Sequence, residues 1–287
     1  MAVRVVTDST AYLPDPVATA AQFEVVPLTV TVSGHEGREG VDVSIADVAR
    51  ALGERRVSVT TSRPPPAEFA AVYQRLLDGG ADGVVSVHIS SRLSGTYESA
   101  LLAAAEFGER VAVVDSATAG MALGFVAMQA WEAADAGGDV TEVRTAALAA
   151  TQRTCTLFYV DTLEFLRRGG RISAASALLG TALSVKPILH VVRGEVVLRE
   201  KVRTASRGLA RLVDLAAEEA RDSDVDIAVQ HLGAAERAEV LRDALVERLG
   251  SRVRRCRVAE VGAVVAAHTG PGVVGVALLR YPPASAA

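Results

Sequence analysis

The sequence predicts an α/β protein in two parts: an N-terminal parallel sheet flanked by helices, and a second α/β domain that contains a β-hairpin. Two observations carry this prediction. Short β-branched runs alternate with stretches of helical period, the pattern of parallel strands joined by crossover helices. Late in the chain, two apolar runs flank Arg193-Gly194-Glu195, a glycine-bearing turn between strands. A change of texture after Thr151 sets the expected domains at 1–150 and 151–287, and the length of 287 residues accommodates both.

In order, Val3 to Val6, Glu24 to Val32, Gly83 to Ile89 and Arg110 to Val114 read as strands. Pro66 opens a helix whose face is Phe69, Val72, Tyr73, Leu76 and Leu77, and Gly79-Gly80 stops it. A second helix is expected from Ser94 to near Gly108, with Tyr97, Leu101, Ala104 and Ala105 on one side, and an Ala-rich third from Ala119 to Ala136. The second part reads as a strand at Thr156 to Val160, a helix at Thr162 to Arg168 closed by Gly169-Gly170, and a hairpin of Pro187 to Val192 and Val196 to Lys201. A helix at Ser206 to Arg221 and a strand at Asp226 to Gln230 follow. Next come a helix at Ala235 to Gly250, facing inward with Val240, Leu241, Ala244, Leu245 and Leu249, and strands at Val253 to Val261 and Gly275 to Tyr281.

Composition excludes several functions. Half the residues are hydrophobic, 22% are charged and the net charge is -4, so neither disorder nor non-specific nucleic-acid binding is expected. Aromatics at 4% leave little material for base stacking. No apolar run approaches the ~20 residues that span a bilayer, and Met1 to Val6 runs directly into a strand, so a cytoplasmic location without an integral membrane segment is expected. Cys155 and Cys256 stand apart in strand contexts as small buried hydrophobes. The five histidines lack ligand spacing, and no phosphate loop, G-x-S-x-G elbow or H-E-x-x-H helix is present; no metal and no cofactor is expected.

Four polar segments lie at strand ends: Asp8-Ser9-Thr10, Thr60-Thr61-Ser62, Ser94-Gly95-Thr96 and His268-Thr269-Gly270-Pro271-Gly272. Hydroxyls, an imidazole and open amides hold a small anion without a fixed charge. Ser94-Gly95-Thr96 opens a helix, where an anion meets free amides and the positive dipole end; Ser94 as a plain N-cap is the competing explanation. Turn and cap chemistry accounts for Asp8 and Asp115. Gly270, Gly272 and Gly275 have G-x-G-x-x-G spacing, but a strand-like run follows, so this is a glycine-rich turn holding His268 and Thr269 rather than a dinucleotide loop.

A set of motifs runs the length of the chain: Thr7-Asp8-Ser9-Thr10-Ala11-Tyr12-Leu13-Pro14, Thr61-Ser62-Arg63-Pro64, Leu93-Ser94-Gly95-Thr96-Tyr97-Glu98-Ser99-Ala100, Val114-Asp115-Ser116 and Leu166-Arg167-Arg168-Gly169-Gly170-Arg171-Ile172-Ser173. Lys186-Pro187-Ile188, Lys201-Val202-Arg203-Thr204 and His268-Thr269-Gly270-Pro271-Gly272 complete it. In these motifs and their order the chain resembles the DegV family of bacterial fatty-acid-binding proteins. Arg63 departs from the pattern, which often has Gln, as does Pro66, where a small polar residue is common. The resemblance implies a long-chain fatty acid buried between and within two domains, its carboxylate held by Thr61, Ser94 and His268 with help from Gly95, Ser62 and Thr269. It further implies a non-catalytic carrier whose acid a separate ATP-dependent fatty acid kinase subunit converts to an acyl phosphate for phospholipid synthesis, with Arg203 at the docking surface. Arg171 is expected to tie the Gly-Gly turn to a carboxylate or carbonyl. The alternative is a serine-dependent lipid hydrolase or acyltransferase using Ser94 and His268, weakened by the missing elbow and by the lack of an assignable acid for His268.

Overall fold

The computed structural model describes residues 2–14, 19, 23–54, 58–172 and 186–281. Its first layer is a parallel sheet of four strands, β1 (Val3–Asp8), β2 (Phe23–Val26), β6 (Gly83–His88) and β7 (Val111–Asp115), in the order β2-β1-β6-β7. A small antiparallel sheet is interposed in the chain, β3 (Thr29–Val32), β4 (His35–Arg38) and β5 (Val59–Ser62), with β3 central, and α1 (Ile45–Gly53) between β4 and β5. The expected strand Glu24 to Val32 is therefore two strands in different sheets, because Pro27 interrupts the ladder and the chain leaves one sheet for the other.

Helix α2 (Pro66–Asp78) buries Phe69, Tyr73 and Leu77, with Pro66 at its start and Gly79 at its end. Helix α3 (Thr96–Ala104) is shorter than expected and turns a different face inward: Ala100, Ala103 and Ala104 pack with Phe69, Tyr73 and Phe107, while Leu101 is 48% exposed. The methyl-sized face lets α2 and its rings come close, which leucines at those positions would prevent.

Helix α4 (Met121–Asp135) is buried around most of its circumference, because it lies between the parallel sheet and a second, mixed sheet and packs on both. A Cβ on Gly124 would stand 2.4 Å from the Ala11 carbonyl oxygen, so the close approach of α4 to the end of β1 requires glycine there. Helix α5 (Val140–Thr151), which periodicity did not reveal, starts from a reciprocal capping box between Asp139 and Glu142.

The second sheet is mostly antiparallel, in the order β10-β9-β8-β13-β11-β12. Its strands are β8 (Thr154–Tyr159), β9 (Lys186–Val192), β10 (Glu195–Val202), β11 (Asp224–His231), β12 (Val253–Glu260) and β13 (Val274–Tyr281). The expected hairpin is β9-β10, turned by Arg193 (φ 51°) and Gly194 (φ 83°), both left-handed as a tight two-residue turn demands. A short helix α6 (Glu164–Arg168) follows β8, and α7 (Ala205–Ala220) and α8 (Ala235–Leu249) cover the outer face. The buried face of α8 is Ala238, Leu241, Leu245 and Leu249; Val240, expected inside, is 62% exposed. The last helix, α9 (Ala263–Thr269), holds His268 and Thr269 in its final turn, not in the glycine-rich turn expected from the sequence, and Gly270 (φ 74°) ends it. Cys155 and Cys256 lie in β8 and β12 as free thiols, and burial pushes the Cys155 thiol up to about 12.

Candidate functional site

Thr61 ends up beside His268 because β5 and α9 converge. Their side chains share a 2.8 Å hydrogen bond, Thr61 Oγ1 to His268 Nε2, across 207 residues of sequence. Burial, assisted by the nearby Arg171 charge, lowers the His268 pKa to about 4, so the imidazole is neutral at physiological pH despite its place at a helix C-terminus. Its other ring nitrogen, Nδ1, is buried and unpartnered among the described residues, with no carboxylate hydrogen-bonded to it.

Two features place this imidazole. Gly169 packs against it so closely that a Cβ there would stand 2.3 Å from Nδ1. Arg171 closes the same loop by donating from Nε to the Leu93 carbonyl at 3.1 Å and from Nη1 to the Gly169 carbonyl, the carbonyl-tying role the sequence led us to expect. Helix α9 is seated from its other end by Glu39. This buried carboxylate accepts from the Val264 amide at 2.8 Å and from the Ser9 hydroxyl at 2.5 Å, while Tyr12 accepts from the Val265 amide at 3.2 Å. Burial raises the pKa of Glu39. Glu39 does not stand out in the sequence, since it and its Val264 partner are 225 positions apart, and Gly169 reads there as a helix stop and motif residue, not as a neighbour of His268.

Ser94 does not cap α3. Its hydroxyl pairs with Thr96 Oγ1 at 2.8 Å, the N-cap is Gly95, and no side chain caps the helix. Thr269 spends its hydroxyl proton on the Val265 carbonyl at 3.0 Å. All six residues singled out for anion binding, Thr61, Ser62, Ser94, Gly95, His268 and Thr269, line one cavity of about 350 Å³. Arg203 does not; it is exposed at the end of the hairpin. Away from the polar end, the cavity walls include Leu28, Ile89, Leu93, Phe158, Val196 and Val264. The floor follows from register: Gly275 and Ala277 alternate on one face of β13, flanked by Phe158 and Thr156 on β8 and by Gln230 on β11, so small residues leave a trough between larger ones. Such a space suits an unbranched apolar chain ending at hydroxyls, amides and a neutral imidazole.

Asp8 and Asp115 are absent from the cavity lining and serve local structure. Asp8 is fully buried and accepts from Thr10 N, Thr10 Oγ1, Ile89 N and His88 Nδ1. Asp115 accepts from the Ser91 hydroxyl and the Ala117 amide. No group of His, Cys, Asp and Glu among the described residues could hold a metal ion, and no described helix is long and apolar enough to cross a membrane.

Comparison with known proteins now decides the family. The DegV family model matches residues 2–280. The chain belongs to the DegV family. It is 50% identical to a DegV domain-containing protein of Streptomyces coelicolor over 274 residues, 96% of this chain and 97% of that protein. Among solved structures, a DegV family protein from Thermus thermophilus described as fatty acid binding superimposes with a TM-score of 0.92 at 35% identity, covering 98% of this chain and 100% of that one. DegV of Bacillus subtilis, described as a fatty acid binding protein, gives a TM-score of 0.87 at 32% identity over 98% and 100% of the two chains. The Gly270 to Gly275 spacing is followed by strand β13, so this DegV chain has no dinucleotide loop there.

Proposed function

We propose that this protein is a carrier that buries the tail of a long-chain fatty acid in the cavity and holds its carboxylate at Thr61, Ser94 and His268, with the Gly95 amide, Ser62 and Thr269 alongside. The observation that carries the proposal is the form of the cavity, apolar along its length and neutral-polar where Thr61 meets His268. The solved DegV relatives described as fatty acid binding support it. At ~0.8 kcal/mol per buried CH₂, a sixteen-carbon tail offers on the order of 10 kcal/mol before ordering costs, so the tail supplies affinity and the head group orientation. The ligand lies between units 1–150 and 151–287, and the protein works in the cytoplasm.

The carboxylate is presented to a separate ATP-dependent kinase subunit. One carboxylate oxygen attacks the γ-phosphorus of ATP, the bond to ADP breaks, and the acyl phosphate remains on the carrier for use in phospholipid synthesis. Arg203 contributes to the docking surface for that subunit.

Organic extraction of purified protein followed by mass spectrometry tests the proposal: one fatty acid per chain is expected. An empty extract from protein made in an acyl-rich host refutes it. Arg203→Ala is expected to retain the acid and slow acyl-phosphate formation with the kinase subunit; unchanged turnover removes Arg203 from the interface.

A further inference from the structure

The floor of the cavity holds hydrogen-bonding capacity that the carboxylate site does not use. Gln230 on β11 pairs in register with Gly275 on β13, so its side chain stands on the face of the sheet that lines the cavity. The residue is 8% exposed. One end of its amide is occupied: Oε1 accepts from the Met121 amide at 2.9 Å, and glycine at position 120 makes the room, since a Cβ there would stand 2.7 Å from Oε1. That bond fixes which way the amide points, because the flipped form would turn its NH₂ toward an N–H donor. Nε2 is left buried, with no partner among the described residues.

Thr156 on β8 also lines the cavity, half-buried, with its hydroxyl 3.0 Å from that of Thr118. Two hydroxyls that share one hydrogen bond hold two protons, so one proton is left to donate. Gln230 and Thr156 come from different elements than Thr61, Ser94 and His268, and among the described residues no hydrogen bond joins the two sets.

A saturated hydrocarbon tail offers these donors nothing. A buried NH₂ set against hydrocarbon loses its bond to water and gains none in return, whereas an oxygen on the chain restores one. Both unspent groups donate, so the group that matches them is an acceptor. A keto or hydroxyl oxygen is an acceptor that an acyl chain carries without charge.

We infer that the cavity is built for an acyl chain bearing an oxygen along its length, a keto or hydroxy fatty acid, with Gln230 as the residue that selects it and Thr156 as a second donor. The inference rests on the fatty-acid reading and deepens it, naming the chain rather than the head group.

The test titrates ligand-stripped protein with stearate and with a series of octadecanoates whose keto or hydroxyl group is moved along the chain, in wild type, Gln230→Leu and Thr156→Val. Wild type is expected to bind the series unevenly. The member whose oxygen meets the donors binds at least as tightly as stearate, while oxygens buried elsewhere without a partner weaken binding about tenfold. Gln230→Leu is expected to weaken the favoured member about tenfold and to change stearate less than about threefold. Because Gln230→Leu also removes the acceptor for the Met121 amide, Thr156→Val supplies the second variant, and it is expected to flatten the series by about threefold. A series weakened evenly at every position in wild type overturns the inference while leaving fatty-acid binding in place. Equal losses for stearate and the favoured member in Gln230→Leu also overturn it, by placing Gln230 with the carboxylate. Failure of wild type to bind stearate refutes the fatty-acid reading and the inference together.

Discussion

His268 makes stability depend on pH in a direction that follows from its surroundings. In the unfolded chain its pKa is near 6.5; in the folded protein burial, with the Arg171 charge adding to it, lowers the value to about 4. Between these values the unfolded state binds a proton that the folded state refuses. This contribution is fully present above pH 6.5 and is lost as pH falls toward 4. Linkage gives about 2 kcal/mol less stability from this residue at about pH 5 than at about pH 7.5. Other groups are shifted by folding as well, among them Glu39, raised by burial, and His190, lowered by burial, so the informative quantity is a difference. His268→Gln keeps a side chain able to pair with Thr61 and removes the proton. Urea unfolding at both pH values should show a pH effect about 2 kcal/mol larger in wild type than in the variant. Identical slopes in the two proteins, or an NMR titration of His268 with its midpoint at 6.5, refute the reasoning.

Other substitutions test separate parts of the architecture. Gly169→Ala pushes a methyl against His268, and we expect it to lower the preference for palmitate over hexadecanol, with a stability loss of about 1–3 kcal/mol in denaturant unfolding. Asp8→Asn turns an amide NH₂ toward two donors whichever way it flips, so it should cost about 3 kcal/mol by urea unfolding yet leave ligand stoichiometry unchanged in the folded fraction. Gly124→Ala drives a Cβ into the Ala11 carbonyl and should lower stability by about 2 kcal/mol, seen as an earlier urea midpoint. A fluorophosphonate serine probe should leave Ser94 unlabelled, as judged by peptide mass spectrometry; labelling lost in Ser94→Ala would establish a hydrolase.

The parts of the fold that could be read in the sequence are those whose signals are local. Helix α2 announces itself by Phe69, Tyr73 and Leu77 at helical spacing between Pro66 and Gly79, and the β9-β10 turn by Gly194. Helix α9 does not, because Val261 to Ala267 is a small, partly β-branched run that suits a strand equally well. It becomes a helix where the Glu39 carboxylate and the Tyr12 hydroxyl receive its first amides, from positions more than 200 residues away. The small sheet was hidden for a related reason: the periodicity of Glu24 to Val32 is continuous, while the backbone breaks at Pro27. Thr61, Ser94 and His268 were legible as polar residues at element ends, and family resemblance grouped them. Their pairing was not: Thr61 rather than Ser94 meets His268. Gly169, read as a helix stop, also acts as the wall behind the imidazole.

That pairing bears on the choice between carrier and hydrolase. An acyl-transfer engine needs a serine, a histidine that deprotonates it and an acid that orients the histidine, all open to substrate. The described residues divide these elements between two places. At the cavity, His268 Nε2 pairs with Thr61, Ser94 pairs with Thr96, and no carboxylate hydrogen-bonds Nδ1. In the core a complete series exists: Asp8 faces His88 Nδ1 at 3.1 Å, His88 Nε2 meets Ser86 Oγ at 2.7 Å, and Tyr73 donates to Ser86 at 2.8 Å. Yet Asp8, His88, Ser86 and Tyr73 are all fully buried, and none lines the cavity. The set with an orienting acid thus has no access to a ligand, and the set with access has no orienting acid. A neutral imidazole paired with a threonine can hold an oxygen anion in place without turning it over, which favours the carrier over the hydrolase.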